Sequence, residues 1–278
     1  MFSFEYLFFP DMQKTTMLDF YDRDLSSFLG ALVRNGQVIG QDWNMTEDNG
    51  VIHLFCLAPE AGSLQAKYYN EYCKNNLSRI NKLSLKEPEY RLMGHTIGLS
   101  DACNCQESSY YILFTTFLTG YSPVCCGDCN LMVPLYKLPV MKDEKEYNTL
   151  LHWQDIYQSC DSLFLSSDIG ERFGYRQISN IDSPLSKMGL DICEKMSEIP
   201  ESHFTIFYIN TMVSRKRIVL FVGNHGNLRL LSMSYIHINV IIAVFCQMSL
   251  NPAFLQLCLY ENWNGVYGNM KRYFALFL

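Results

Sequence analysis

Four cysteines stand in two short-spaced pairs. Cys103-Asn-Cys105 is followed, 20 residues later, by Cys126-Gly-Asp-Cys129. Tetrahedral zinc takes four thiolates at about 2.3 Å, and two such pairs brought together supply them. The C-x-x-C half has a common knuckle spacing; the C-x-C half is less usual. Gly127 suits a knuckle, because the backbone must turn tightly to aim both sulfurs at one ion. Cys125 is a spare thiol and is not assigned to metal. Two other chemistries fit the same residues. Cys126 and Cys129 form a C-x-x-C that can cycle between dithiol and disulfide. Such motifs usually open a helix, whose N-terminus lowers the thiol pKa. Here Leu131-Met-Val-Pro134 follows, which is strand-like, and Pro134 opposes a helix interior. Finally, free cysteine is often simply buried.

The elements that position these pairs can be read from pattern. Tyr110 to Leu118 reads as a strand that carries the chain away from the first pair and back. Val133 to Leu138 reads as a strand bracketed by prolines. Helices follow at about 144–160, 169–178 and 184–197, the last with Ser183 as N-cap and Pro184 at its first position. His203 to Ile209 reads as a strand. Upstream, residues 2–9 read as a strand ended by Pro10, and residues 14–34 as an amphipathic helix. Gln37 to Met45 and Val51 to Leu57 read as strands joined by a turn at Thr46 to Gly50. Ser63 can cap a helix to about Ile80, and Tyr90 to Leu99 reads as a strand. Strand, helix, strand, strand, helix, strand is the ferredoxin-like βαββαβ order. The expected class is therefore α+β, with a ferredoxin-like domain at 1–100, a cysteine-knuckle and helical α/β region at 101–210, and a tail at 211–278.

Few other residues suggest chemistry. Cys56, Cys73, Cys160 and Cys193 have no partner at ligand spacing and read as structural. His95 reads as a strand-face histidine and His152 as part of an amphipathic helix. Asp42, Glu47 and Asp48 fall in a turn, and Asp168, Glu171 and Arg172 suit a solvated helix start. No G-x-S-x-G, H-E-x-x-H, P-loop or dinucleotide fingerprint occurs, so a non-enzymatic protein is expected. Of 278 residues, 49% are hydrophobic and 18% charged, enough apolar material for a core. The net charge of -6, with only 22 Lys and Arg, disfavours non-specific nucleic-acid binding by the whole chain. The apolar start carries Glu5 and Asp11 and no basic region, unlike a secretory signal. Eleven cysteines in that context point to a reducing compartment, hence a cytoplasmic location.

The run "CNCQESSYYILFTTF…CCGDCNLMVPLYKLP", then "LLHWQDIYQSCDSLFLSS…GERFGYRQISNIDSPLSKMGLDIC", resembles a bacterial family of unestablished activity, described as zinc-ribbon-containing and nucleic-acid-binding. The resemblance covers roughly Cys103 to Ile209. It is most specific at Cys126, Gly127, Asp128, Cys129 and Val133 to Tyr136. It implies a cytosolic, metal-binding protein with nucleic acid as a partner. The family's ribbon lies at its C-terminus, where C-P-x-C-G and a later C-x-x-C are called for.

This chain departs there. It reads "RIVLFVGNHGNLRLLSMSYIHINVIIAVFCQ". No charged side chain occurs from Leu230 to Tyr260, but Asn239, Gln247, Asn251, Pro252 and Gln256 interrupt any spanning helix, so no membrane span is expected. Codons for Ile218 to Leu228 can be chosen that read C-P-V-C-G-K-P-W-K-L in a shifted frame. Those for Ile236 to Met248 can likewise read T-Y-K-C-D-Y-C-R-L-L-S-D, giving zinc-ribbon spacing. The expectation is a frameshift between about Asn210 and Ile218. Val219, Val222, Val240 and Ala243 then stand where the ribbon's thiolates would be, and Cys246 and Cys258 restore no site. The result is a poorly packed, sticky tail.

The leading expectation is a non-enzymatic, zinc-binding cytosolic protein that binds nucleic acid but has lost its C-terminal ribbon. Cys103, Cys105, Cys126 and Cys129 are the metal ligands. The alternatives are a thiol–disulfide protein using Cys126 and Cys129, and a metal-stabilised protein-interaction module.

Overall fold

A computed structural model describes residues 1–118, 120–166, 168–199, 206–209 and 220–222. The chain divides into two compact units. One comprises residues 1–108, 119–151 and 199–202; the other comprises 109–118, 152–198 and 203–278.

The first unit is built on a four-stranded antiparallel sheet of order β2-β3-β1-β4. Its strands are β1 (Phe2–Phe8), β2 (Ile39–Asp48), β3 (Val51–Ala58) and β4 (Glu89–His95). A helical stretch joins β1 to β2, and another joins β3 to β4, so the class is α+β and the element order is the one expected. In β1, the side chains of Phe4, Tyr6 and Phe8 alternate onto one face. They form a single apolar cluster with Leu54 and Cys56 of β3 and with Phe28, Leu29, Leu32, Cys73 and Ile80 from the helices. Each such large apolar side chain contributes about 1.5–3 kcal/mol on burial.

Local chemistry shifts several boundaries. The β2–β3 turn is only Asn49-Gly50, both at positive φ (51° and 80°). That is the two-residue turn whose twist suits a hairpin, so Glu47 and Asp48 lie in β2 and not in the turn. The first helical stretch starts at α1 (Met17–Asp19), where the Thr16 hydroxyl accepts the Asp19 N–H. It then widens into a π-helical turn (Phe20–Leu25) before α2 (Ser26–Arg34). The wider turn points Asp24 inward, where its carboxylate meets Arg23 at 3.1 Å and Arg79 at 2.7 Å. Ser63 does not cap the next helix. It is fully buried, and its hydroxyl accepts the Glu60 N–H. Asn70 caps α3 (Glu71–Leu83) by accepting the Cys73 N–H.

The same unit carries β6 (Val124–Cys126) and the segment after it. Residues 135–137 form a 3-10 turn where a strand was expected, because Tyr136 is drawn to polar partners. Its hydroxyl meets Glu60 at 2.7 Å and Ser63 at 2.8 Å. Further along, Arg34 pairs with the buried Glu146 at 2.8 Å.

In the second unit, β5 (Tyr111–Leu113) pairs in parallel with β7 (Ile206–Ile209), and β8 (Leu220–Val222) pairs antiparallel to β7. β5 is shorter than the expected Tyr110 to Leu118, since the chain leaves the sheet and the Phe117 N–H donates to the buried Asp161 carboxylate. The helices are α4 (Asn148–Ser166), which belongs to this unit from His152 onward, α5 (Glu171–Ser179) and α6 (Pro184–Ser197). Ser183 caps α6 with Pro184 at its start, as read from sequence. Trp153 is fully buried and donates to the Leu185 carbonyl.

Among the described residues no helix is long and apolar enough to cross a membrane. The expectations for the tail, at Val219, Val240, Ala243, Cys246 and Cys258, lie outside the described residues; Val222 is the last residue of β8.

Candidate metal centre

The second cysteine pair sits on a tight hairpin. β6 runs out, residues 127–130 turn, and the chain returns antiparallel through Leu131 to Val133. The Val133 N–H donates to the Val124 carbonyl at 2.8 Å, and the Cys126 N–H to the Leu131 carbonyl at 2.9 Å. The turn is closed by Asn130 donating its N–H to the Cys126 carbonyl at 2.9 Å. Asn130 has φ of 62°, a left-handed conformation that asparagine tolerates better than most residues. No helix follows Cys129, so the helix N-terminus that activates redox C-x-x-C motifs is not part of this site.

The first pair reaches the hairpin through the backbone. The Cys103 N–H donates to the Met132 carbonyl at 2.8 Å. The four sulfurs of Cys103, Cys105, Cys126 and Cys129 consequently all lie within 4.8 Å of one another. The Cys129 and Cys103 sulfurs are 3.4 Å apart. A regular ZnS4 tetrahedron with bonds of about 2.3 Å has sulfur–sulfur edges of about 3.8 Å, so the cluster has the size such an ion requires.

The surroundings suit thiolates. The Cys105 N–H points at the Cys103 sulfur at 3.4 Å. The N–H groups of Asp128 and Cys129 serve Cys126, and that of Leu131 serves Cys129. Ser108 adds a hydroxyl 3.1 Å from the Cys126 sulfur. Burial opposes the Cys126 thiolate, but the Ser108 hydroxyl and the two turn amides outweigh it and bring the thiol down to about 7. Burial dominates at Cys129, pushing it up to about 11, and raises Cys103 as well. A cation would reverse those penalties, since a coordinating thiol is deprotonated by its metal. Cys103 and Cys126 are buried, Cys129 is half-buried, and Cys105 alone of the four is exposed.

Every residue proposed as a ligand from the sequence is thus brought into one cluster. Cys125 is buried beside it but outside the four-sulfur group, its thiol pushed up to about 12 by burial. His95 is engaged elsewhere, with Asp101 at 2.6 Å. Cys56 and Cys73 are buried in the apolar cluster, and burial raises each to about 12. Ser108 and the turn amides were not foreseen. No feature of the sequence distinguishes Ser108 from Ser109, and the direction of an amide is set only once the hairpin has formed.

Residues 105–209 match the model of a domain of unknown function (DUF2310), and residues 1–94 that of another (DUF8589). Two proteins of Haemophilus influenzae described as uncharacterized are similar to the chain. One is 26% identical over 178 residues, which is 61% of this chain and 67% of the relative. The other is 28% identical over 119 residues, 41% of this chain and 58% of the relative. The chain therefore spans about two thirds of the first relative's length and somewhat over half of the second's. Among solved structures, a crystal structure of antibiotic biosynthesis monooxygenase is similar over 34% of this chain and 99% of its own, at 16% identity and a TM-score of 0.26.

Proposed function

We propose that this chain is a non-enzymatic zinc protein in which Cys103, Cys105, Cys126 and Cys129 hold one ion as thiolates. The ion's role is structural. It joins the segment around Cys103 to the β6 hairpin, adding a cross-link to the burial of Val124, Met132 and Val133. The observation that carries this reading is the convergence of four sulfurs within 4.8 Å, from two segments 20 residues apart. The amides directed at those sulfurs support it, because they stabilise thiolates specifically. A cytoplasmic setting follows from the same chemistry, since free thiols persist where glutathione keeps them reduced.

The ferredoxin-like reading of the N-terminal unit rests on its βαββαβ order and its β2-β3-β1-β4 strand order. The nucleic-acid partner rests on the family resemblance alone. It is tested by salt-dependent binding to single-stranded RNA and DNA; binding to neither leaves the protein-interaction reading. The frameshifted tail is supported by the end of the DUF2310 match at residue 209, and coding DNA that cannot encode the shifted ribbon would refute it.

The experiment for the metal is elemental analysis of untagged protein beside Cys126→Ser and Cys129→Ser. About one zinc per parent chain and none in either variant is the expected result. Zinc-free parent protein that forms a Cys126–Cys129 disulfide on mild oxidation would transfer the assignment to the redox alternative.

A further inference from the structure

We infer that the cluster is a peroxide-releasable metal site, entered at Cys105 and closed by Cys129. This rests on the zinc reading above. Three ligand residues are at least partly shielded, whereas Cys105 is an exposed residue. An exposed thiolate is the one a small oxidant meets first. The Cys129 thiol sits within reach of the Cys103, Cys105 and Cys126 sulfurs alike. It is therefore placed to resolve an oxidised neighbour. A bridge between Cys103 and Cys105 would have to span one residue, whereas Cys105 and Cys129 come from separate segments whose sulfurs lie within 4.8 Å of each other.

The chemistry needs one two-electron oxidant, a hydroperoxide. The Cys105 thiolate attacks one peroxide oxygen; the S–O bond forms, the O–O bond breaks, and hydroxide leaves. Cys105 is now a sulfenic acid. The Cys129 thiolate then attacks that sulfur; the S–S bond forms, the S–O bond breaks, and a second hydroxide leaves. Two thiolates have lost two electrons, the peroxide has gained them, and two solvent protons turn the hydroxides into water. Cys103 and Cys126 remain as the only two ligands, too few for a four-coordinate structural ion. The site thus couples loss of the hairpin's clamp to oxidation.

The test uses the full chain, with zinc per chain measured first. Hydrogen peroxide is then added with a chromogenic zinc chelator present, and bridges are mapped by peptide mass spectrometry. One zinc released per Cys105–Cys129 bridge is the expected result. Dimedone added during oxidation should mark Cys105 in the unaltered protein. Cys105→Asp retains an ionic ligand but no reactive sulfur, and should slow release by about tenfold or more. Zinc that stays bound while the thiols remain reduced would overturn the inference and leave the metal reading standing. Release with a different bridge, or dimedone on another cysteine, would also overturn it. Protein purified without zinc would overturn both.

Discussion

The amide of Cys103 donates to the carbonyl of Met132 at 2.8 Å. This bond places the first cysteine pair beside the strand that returns from the second. It is one backbone bond, worth only about 0.5–1.5 kcal/mol net, and it is joined by the burial of Ala102, Val124, Met132 and Val133 around it. On the zinc reading, the ion adds to that packing by tying the two cysteine pairs to each other. Chelation is expected to raise amide exchange at Cys103 and Cys126 by about tenfold or more. Amides of β1 and β3, held in the apolar cluster, should hardly change. Uniform loss of protection across the sheet would show that the ion supports the whole unit, and unchanged exchange at Cys103 would deny it a structural role.

What could be read in advance depended on how local the cause was. The cysteine pairs were legible because ligand spacing is a property of the sequence. Helix α6 was legible because Ser183 and Pro184 set its start within two residues. Ser63 misled, because a serine before a periodic stretch looks like a cap, while its hydroxyl is recruited by Glu60 and Tyr136, the latter 73 residues away. The Val133 to Leu138 segment misled for the same reason. Its apolar residues suit a strand, but the Tyr136 contacts and the packing of Leu135 select a 3-10 turn. The π-helical turn at Phe20 to Leu25 left no trace in the pattern, since its reward is the pairing of Asp24 with Arg79 of a helix 55 residues distant.

Gly36 shows how closely Leu135 is held. Its φ is 74°, and a methyl added there would come within 2.6 Å of the Leu135 Cβ. Gly36→Ala should cost about 1–3 kcal/mol, from left-handed strain and overpacking together. Urea denaturation measures the sum. Adding Leu135→Gly separates the parts: the overpacking against the Leu135 side chain should be absent when the double mutant is compared with Leu135→Gly alone, leaving the strain and the tight approach to the residue 135 nitrogen at 3.0 Å. A Gly36→Ala protein as stable as its parent would contradict this packing.

Glu5 makes stability depend on acid. Its side chain is buried in β1, with His53 Nδ1 at 2.8 Å from one oxygen and Arg91 paired with the other. The His53 hydrogen bond, aided by Arg91, outweighs burial and holds the carboxyl below its ordinary value of 4.5. An acid whose folded pKa is depressed stabilises the fold fully above its unfolded pKa. That contribution is lost as pH falls through the folded value. Parent protein should therefore lose urea resistance below about pH 4.5 more steeply than Glu5→Gln, with the two curves converging in strong acid. Parallel curves across that window would assign the acid sensitivity to other carboxylates.

Gly174 of α5 lies against the backbone of α4. A Cβ there would stand 2.3 Å from the Cys160 carbonyl oxygen and 2.9 Å from the Phe164 nitrogen. Backbone atoms cannot rotate aside as a side chain can, so the two helices would have to separate. That would disturb Ile178 and Phe164, both buried in the second unit. Gly174→Ala should therefore destabilise the protein by about 2 kcal/mol or more, despite the gain in helix propensity that alanine brings elsewhere. Gly120 is the control, since a Cβ there meets nothing within 4 Å. Gly120→Ala should stay within about 0.5 kcal/mol of the parent. Thermal unfolding of the three proteins decides the matter. If Gly174→Ala melts with the control, α4 and α5 do not pack backbone to backbone, and the close contact at Cys160 is wrong.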